Sequence, residues 1–212
     1  MYIPSYFETK ERELSFDLMR RENFAQLITS DEEGLPWVTF LPFMLDEKAG
    51  PNGTLIGHMA RANQQWRHFN EERLVLVSFM GPHSYVSPRW YETKQAVPTW
   101  LYLAVQAYGY PRIIEDDNEV ASIMQDLVTH HEKPSPNPWK IEEQNSEYLE
   151  RMRRGIVAFK IEIERLEGKA KLNQNKSEAD RESVYKALSQ NTDSHAVTLA
   201  EMMVELKMIK GK

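Results

Sequence analysis

The sequence predicts an α+β fold that is mainly β: an antiparallel barrel or sandwich with helices appended. Three observations predict it. Residues 23–110 hold about six short apolar segments separated by turn residues. From Glu115 the texture changes to helix-period segments punctuated by prolines. Ile156–Ile163 (IVAFKIEI) then alternates, as a strand with one wet face does, and rejoins the barrel.

Residues 11–22 place Leu14 and Leu18 four apart among charges and predict a first helix. Phe24–Thr29 (FAQLIT) reads as a strand, and Ser30-Asp31-Glu32-Glu33-Gly34 as a hairpin turn. Trp37–Leu45 (WVTFLPFML) is the returning strand. Pro42 lacks a ladder donor, so it belongs at an edge or a bulge. Asp46–Gly53, with Pro51-Asn52-Gly53, makes the next turn; Thr54–Met59 is a strand and Ala60–Asn70 a short helix or helical turn. Arg73–Met80 is apolar on both faces, hence central, and Gly81-Pro82 is expected to break it. Tyr85-Val86 continues as strand, Ser87-Pro88 as loop, and Val97–Tyr108 is a further strand.

Beyond the barrel, Val120, Ile123, Met124, Leu127 and Val128 recur with helical period and predict a helix over Asp117–His131. Pro134, Pro136 and Pro138 mark a loop, and Glu142–Arg151 a second helix. Ser177 with Asp180 fits an N-terminal capping pattern, and His195–Ile209 forms the last helix.

The chain has 212 residues, no cysteine and a net charge of −6. Disulfides, thiol catalysis and Cys-ligated metals are thereby excluded. The negative charge argues against a broad nucleic-acid coat. Residues 115–150 are strongly acidic, with a net charge of −8. No basic segment followed by an apolar one opens the chain, and Leu74–Met80 is too short to span a bilayer, so a cytoplasmic protein with no membrane partner is expected.

Four segments carry candidate chemistry. Gly57-His58-Met59-Ala60-Arg61-Ala62-Asn63-Gln64-Gln65-Trp66 follows a strand and opens a helical turn, where backbone N–H groups and the Arg61 fork suit a phosphate. A strand-to-helix turn with a surface arginine has the same pattern. Lys171-Leu172-Asn173-Gln174-Asn175-Lys176 packs amides and cations that suit a planar heterocycle, or equally a polar turn. The aromatics of residues 81–91 and of Val97–Tyr102 suit the wall of a flat ligand, a core or a dimer interface. His130 and His131 are adjacent and point about 100° apart on a helix, so no metal site is expected. Short basic clusters, Arg20-Arg21 and Arg151-x-Arg153-Arg154, read as solvated surface.

In order along the chain stand Met1-Tyr2-Ile3-Pro4, Leu41-Pro42-Phe43, GHMARANQQW at 57–66, GPHSYVSPRWY at 81–91, VPTW at 97–100 and KLNQNKSEADR at 171–181. This series resembles the PaiB-like FMN-binding negative transcriptional regulators, bacterial proteins related in fold to pyridoxamine-phosphate oxidases. The resemblance implies an FMN-binding split β-barrel with C-terminal helices, as a single domain over 1–212. Its core would be about 23–110 plus a strand about 155–164, with a helical excursion at 115–151 and C-terminal helices at 177–209. It implies a homodimer, FMN as cofactor, and DNA or another regulator as partner. Arg61, Ala62 and Asn63 become the phosphate candidates, with His58, Met59 and Ala60 lining the strand end, Thr39 on a neighbouring strand, and Lys171, Gln174 and Asn175 from the C-terminal segment. No catalytic residue is assigned. The chain departs from the family pattern at Phe40 (usually His), Gln64 (usually Pro), Leu101 (usually Asn) and Asn173 (usually Ser). The alternatives are an FMN-dependent split-barrel oxidoreductase or reductase, or a binding protein for a flat flavin or haem. For haem, His58, His68 or the pair at 130–131 would be the axial candidates.

Overall fold

The computed structural model describes residues 1–9, 11–70 and 72–209. The elements are α1 (Arg12–Arg21), β1 (Phe24–Ser30), β2 (Pro36–Pro42), β3 (Met44–Asp46), β4 (Thr54–Ala60), β5 (Val75–Val86), β6 (Thr99–Ile113), α2 (Asp117–Glu132), α3 (Ser146–Arg154), β7 (Ile156–Lys171), α4 (Glu178–Ser189) and α5 (Ser194–Glu205). The strands form one sheet in the order β2-β1-β5-β6-β7-β4-β3. β2 and β3 stand at its two ends, yet Phe43 alone joins them. A flat sheet of seven strands would put its ends roughly 29 Å apart, which no single residue spans. The sheet therefore curls until its edges meet.

The chain divides into two compact units. Of the described residues, one holds those within 23–78 and 107–166, the other those within 1–22, 79–106 and 167–209. β5, β6 and β7 run from one into the other.

In the first unit, β1 and β2 pair antiparallel from Phe24↔Pro42 to Ser30↔Pro36. The Asp31 carboxylate closes this hairpin by accepting from the Glu33 and Leu35 backbone N–H groups and from the Trp37 indole. Burial pushes its pKa up as the largest single effect, and these bonds together outweigh it and hold the pKa below the ordinary carboxylate value. Gly34 supplies the left-handed residue, at φ +83°. β4 pairs with β7 from Thr54↔Glu162 to Ala60↔Ile156. Ile114, Val120, Ile123 and Ala158 form a small buried cluster, against which Met44, Ile56, Met124 and Ile156 pack.

In the second unit, α1 buries Phe16, Leu18 and Met19. Gly81 is where α1 meets the sheet: a Cβ there would stand 2.6 Å from Leu18 Cδ1. α4 packs on α5. Ser177 caps α4 by accepting from the Asp180 backbone N–H, as its sequence pattern predicts.

Several boundaries differ from those the sequence predicts. The strand expected over Trp37–Leu45 is two strands, because β2 ends at Pro42 and the Phe43 N–H bonds to Asn23 O instead of a ladder. Gly81-Pro82 does not break β5, which runs on to Val86; the missing side chain at Gly81 admits Leu18. β6 continues through Gly109 to Ile113 and β7 to Lys171, both longer than expected. The expected helix over Ala60–Asn70 is a short 3-10 turn, Gln64–His68, capped by the Asn63 side chain. α3 starts later than expected, at the Asn145 cap, and α5 ends at Glu205 rather than Ile209.

Candidate functional site

β4 alternates, and its alternation sorts the candidate residues. Leu55, Gly57 and Met59 are buried on one face; Ile56, His58 and Ala60 face the other and are more open. Met59 is thus a core residue. Gly57 is boxed between Phe43 and Phe159, whose rings stand 3.1 and 3.2 Å from where a Cβ would sit.

Past Ala60 the chain turns outward. Ala60, Arg61 and Ala62 are exposed. The Arg61 guanidinium is pinned: Nε donates to Arg154 O at 3.0 Å and an Nη to Ile156 O at 2.8 Å. Its backbone N–H donates to Gly155 O, and its carbonyl accepts from the Trp66 indole at 3.0 Å. Two of the five guanidinium N–H donors are so used, and three remain among the described residues. Arg61, Arg153, Arg154 and Trp66 line one cleft of about 470 Å³, with Glu115 and Asp117 on its wall.

Thr39 and Asn63 meet behind this turn. Asn63 Nδ2 donates to Thr39 Oγ1 at 2.9 Å, and the Thr39 hydroxyl donates to Gln65 Oε1. Gln65 is fully buried and donates to Leu27 O at 3.0 Å and Trp37 O at 3.1 Å. The cluster positions the turn from below and leaves Thr39 and Asn63 engaged with protein. Sequence reasoning missed Gln65, because nothing in the pattern tells a buried glutamine from a surface one. It also read Arg153 and Arg154 as plain surface, since the cleft joining them to Arg61 is tertiary.

The C-terminal candidates lie in the other unit. Lys171 Nζ donates to Thr99 Oγ1 at 2.6 Å. The Gln174 amide is spent locally, on the Leu172 N–H and Ala170 O, and Asn175 is exposed. Asn173 takes a left-handed φ of 64°, which asparagine tolerates better than the serine usual in the family. Its Oδ1 accepts from Tyr91 OH at 3.2 Å, while its Nδ2 is buried with no partner among the described residues. Burial leads the rise in the Tyr91 pKa. On the same unit, His83 lies 6.2 Å from Trp100 and 4.6 Å from His195 between ring centroids, and Tyr85 lies 6.2 Å from Trp100. Trp100 and Tyr85 are exposed. His130 and His131 lie edge to face on α2, and no group of three or more His, Cys, Asp or Glu suits a metal among the described residues.

Residues 1–165 match the family described as "Putative FMN-binding domain". Over 203 residues the chain is 36% identical to the Bacillus subtilis "Protease synthase and sporulation protein PAI 2", covering 96% of both chains. The chain belongs to the PaiB-like FMN-binding family. FMN is the cofactor of its domain. Among solved structures, the flavocytochrome Anf3 from Azotobacter vinelandii superposes with a TM-score of 0.56 at 12% identity, covering 80% of this chain and 72% of that one. The FAD and haem binding protein from Mycobacterium smegmatis gives 0.55 at 15% identity, covering 77% and 73%. At such identities the likeness is one of fold, the antiparallel split β-barrel that the sequence motifs lead one to expect. No helix among the described residues is long and apolar enough to cross a membrane.

Proposed function

We propose that this PaiB-like flavin-binding protein is a homodimeric negative regulator of transcription. In this reading FMN is held by its phosphate in the arginine cleft at the end of β4. The observation that carries the phosphate assignment is the cleft itself, lined by Arg61, Arg153 and Arg154. Arg61 is held in place by two backbone carbonyls and keeps three donors for an incoming anion. A planar fork fixed before the ligand arrives loses little freedom on binding, and it matches phosphate geometry. The donor set therefore fits the phosphate end of FMN. Thr39 and Asn63 act at one remove, by holding the turn through Gln65. When bound, FMN supplies redox chemistry, and the chain supplies binding and orientation.

The regulatory reading is supported by similarity to PAI 2 over nearly all of both chains. The net charge of −6 favours action through another regulator over a broad DNA-binding face. The homodimer is supported by exposed apolar side chains on strands, Trp37, Val38 and Phe40 on β2 and Met80 and Tyr85 on β5.

The test begins with an absorption spectrum of the purified protein after FMN is added and free flavin removed. Retained flavin is expected, and Arg61→Ala should weaken it about 10–100-fold, as loss of charge-assisted bonds does. Equal affinity in Arg61→Ala overturns the cleft as the phosphate site. Sedimentation should give a dimer, and deletion of the gene in its host should raise extracellular protease output. Steady turnover of reduced nicotinamide by the flavin-loaded protein, with no change in protease output, would make it an oxidoreductase instead.

A further inference from the structure

β5 and the first turn of α5 bring together two histidines that are far apart in the chain. The rings of His83 and His195 stand 4.6 Å apart between centroids, at an interplanar angle of 51°. Both residues lie in one compact unit, and neither lines the arginine cleft. The contact is no piece of core, since His195 is exposed and His83 half-buried. Their tilt also rules out a face-to-face stack.

Hydrogen bonding prepares His83 to bind through one atom. Its Nδ1 stands 3.1 Å from Gly81 O. A carbonyl oxygen only accepts, so Nδ1 carries the hydrogen and donates it, and Nε2 keeps its lone pair. Metal-binding histidines are oriented in this way, with the second ring nitrogen tied to a carbonyl or carboxylate. Among the described residues no hydrogen bond holds the His195 ring, so it can turn either nitrogen towards His83.

The spacing fits a shared ion. Two imidazoles bound through metal–nitrogen bonds of about 2.0–2.1 Å place their ring centroids about 4.5 Å apart at a right angle and about 5.2 Å apart at the tetrahedral angle. The observed 4.6 Å lies at the right-angle end. Right angles between neighbouring ligands belong to square or tetragonal coordination, which with nitrogen and oxygen ligands selects Cu(II) or Ni(II) over tetrahedral Zn(II). Two protein ligands leave the other corners to water, since no third His, Asp or Glu joins the pair among the described residues. The Asp193 carboxylate caps α5 by accepting from the His195 N–H at 3.0 Å, and its charge offsets the positive end of the helix beside the ion.

We propose that His83 Nε2 and one ring nitrogen of His195 bind a single divalent ion of the copper or nickel type, with water completing its square. The ion pins the first turn of α5 to β5. This goes beyond the flavin reading and does not depend on it. Sequence reasoning weighed the neighbours His130 and His131, whereas this pair is joined only by the fold.

The probe is Cu(II), titrated into the full-length protein with and without added FMN. Trp100 is the reporter, because its ring lies 6.2 Å from that of His83 and a bound paramagnetic ion quenches its emission. Saturable quenching at one ion per chain is expected, with the same affinity whether or not FMN is present. The copper electron paramagnetic resonance signal should show two nitrogen ligands, and the thermal midpoint should rise with copper concentration. Ni(II) should compete for the same site more weakly. His83→Asn and His195→Asn should each weaken binding about tenfold or more, since the outer partners of a ligand are by themselves worth about 10–100-fold. The double variant His130→Asn, His131→Asn should bind as wild type does. His195 is exposed, so His195→Asn decides the matter if His83→Asn does not fold. Quenching without saturation, which means an adventitious ion only, overturns the proposal. So does a copper signal with one nitrogen, an unchanged affinity in His195→Asn, or a lost affinity in the double variant.

Discussion

Asp180 grips Thr93 at two points: its carboxylate accepts from the Thr93 backbone N–H at 2.9 Å and from the Thr93 hydroxyl at 2.8 Å. Asp180 is a buried residue in the first turn of α4, so the pair ties the loop before β6 to the start of that helix. The bond from the Thr93 backbone leads the causes that hold the Asp180 pKa below the ordinary carboxylate value. A carboxyl with a depressed folded pKa contributes stability that is complete above its unfolded pKa, here 3.8 in the absence of partners, and is lost as pH falls through the folded value. Asp180→Asn keeps the shape and removes the charge. It should be less stable than wild type by about 1.5–3 kcal/mol at pH 7, and the gap should close below about pH 4. Urea unfolding across pH 3–8 measures it, and a gap that does not change with pH would contradict this account.

The departures at Phe40 and Leu101 sit in opposite environments. Phe40 is exposed on the edge strand β2 and stacks on Phe24 at 6.1 Å. Leu101 is fully buried in β6. Restoring the family's usual residue should therefore have unequal effects. Phe40→His should change stability by no more than about 0.5 kcal/mol. Leu101→Asn places an amide in the core and should cost about 2–4 kcal/mol. Thermal unfolding of the two variants side by side is the check.

Gln64 opens the 3-10 turn at a position where proline is favoured, since the first N–H of a helical turn has no internal acceptor. The residue before it, Asn63, is extended at φ −74° and ψ 112°, as a residue preceding proline prefers. Gln64→Pro should raise stability by about 0.4–1 kcal/mol through the unfolded chain. A fall in the midpoint of thermal unfolding would mean that the Gln64 bond to Ala62 O matters more than this reasoning allows.

At Gly109 the neighbouring strand comes too close for any side chain. A Cβ there would lie 2.1 Å from Glu162 O and 2.7 Å from Ile161 Cγ2. Because the obstacle is backbone, it cannot move aside as a side-chain tip would. Gly109→Ala should cost about 3 kcal/mol or more and lower the urea midpoint accordingly. A midpoint unchanged from wild type would mean that β6 and β7 part freely.

Much of this architecture was legible in residue order. Apolar runs bounded by turn residues located the strands, and Ser177 marked the start of α4. Strand lengths were not legible, because what carries β5 past Gly81 and β6 past Gly109 is a neighbour's approach, with no local sign. The candidate site was legible as a motif and not as geometry. Alternation along β4 could have assigned Met59 to the core, and the left-handed turn at Asn173 suits its residue type. The bonds that pin Arg61 come from carbonyls 93 and 95 residues away, and no local pattern reports them.

The pairing of β4 with β7 has a consequence for how the chain is made. Ala60 leaves the ribosome well before its partner Ile156, and the register runs on to Glu162. At elongation rates of about 5–20 residues per second, β4 waits on the order of 5–20 s with one ladder edge open. During that interval the nascent chain offers an unpaired strand to its neighbours on the same message. Slow synthesis or crowded polysomes should therefore lower the soluble yield of this protein, and a chaperone that shields strand edges should restore it.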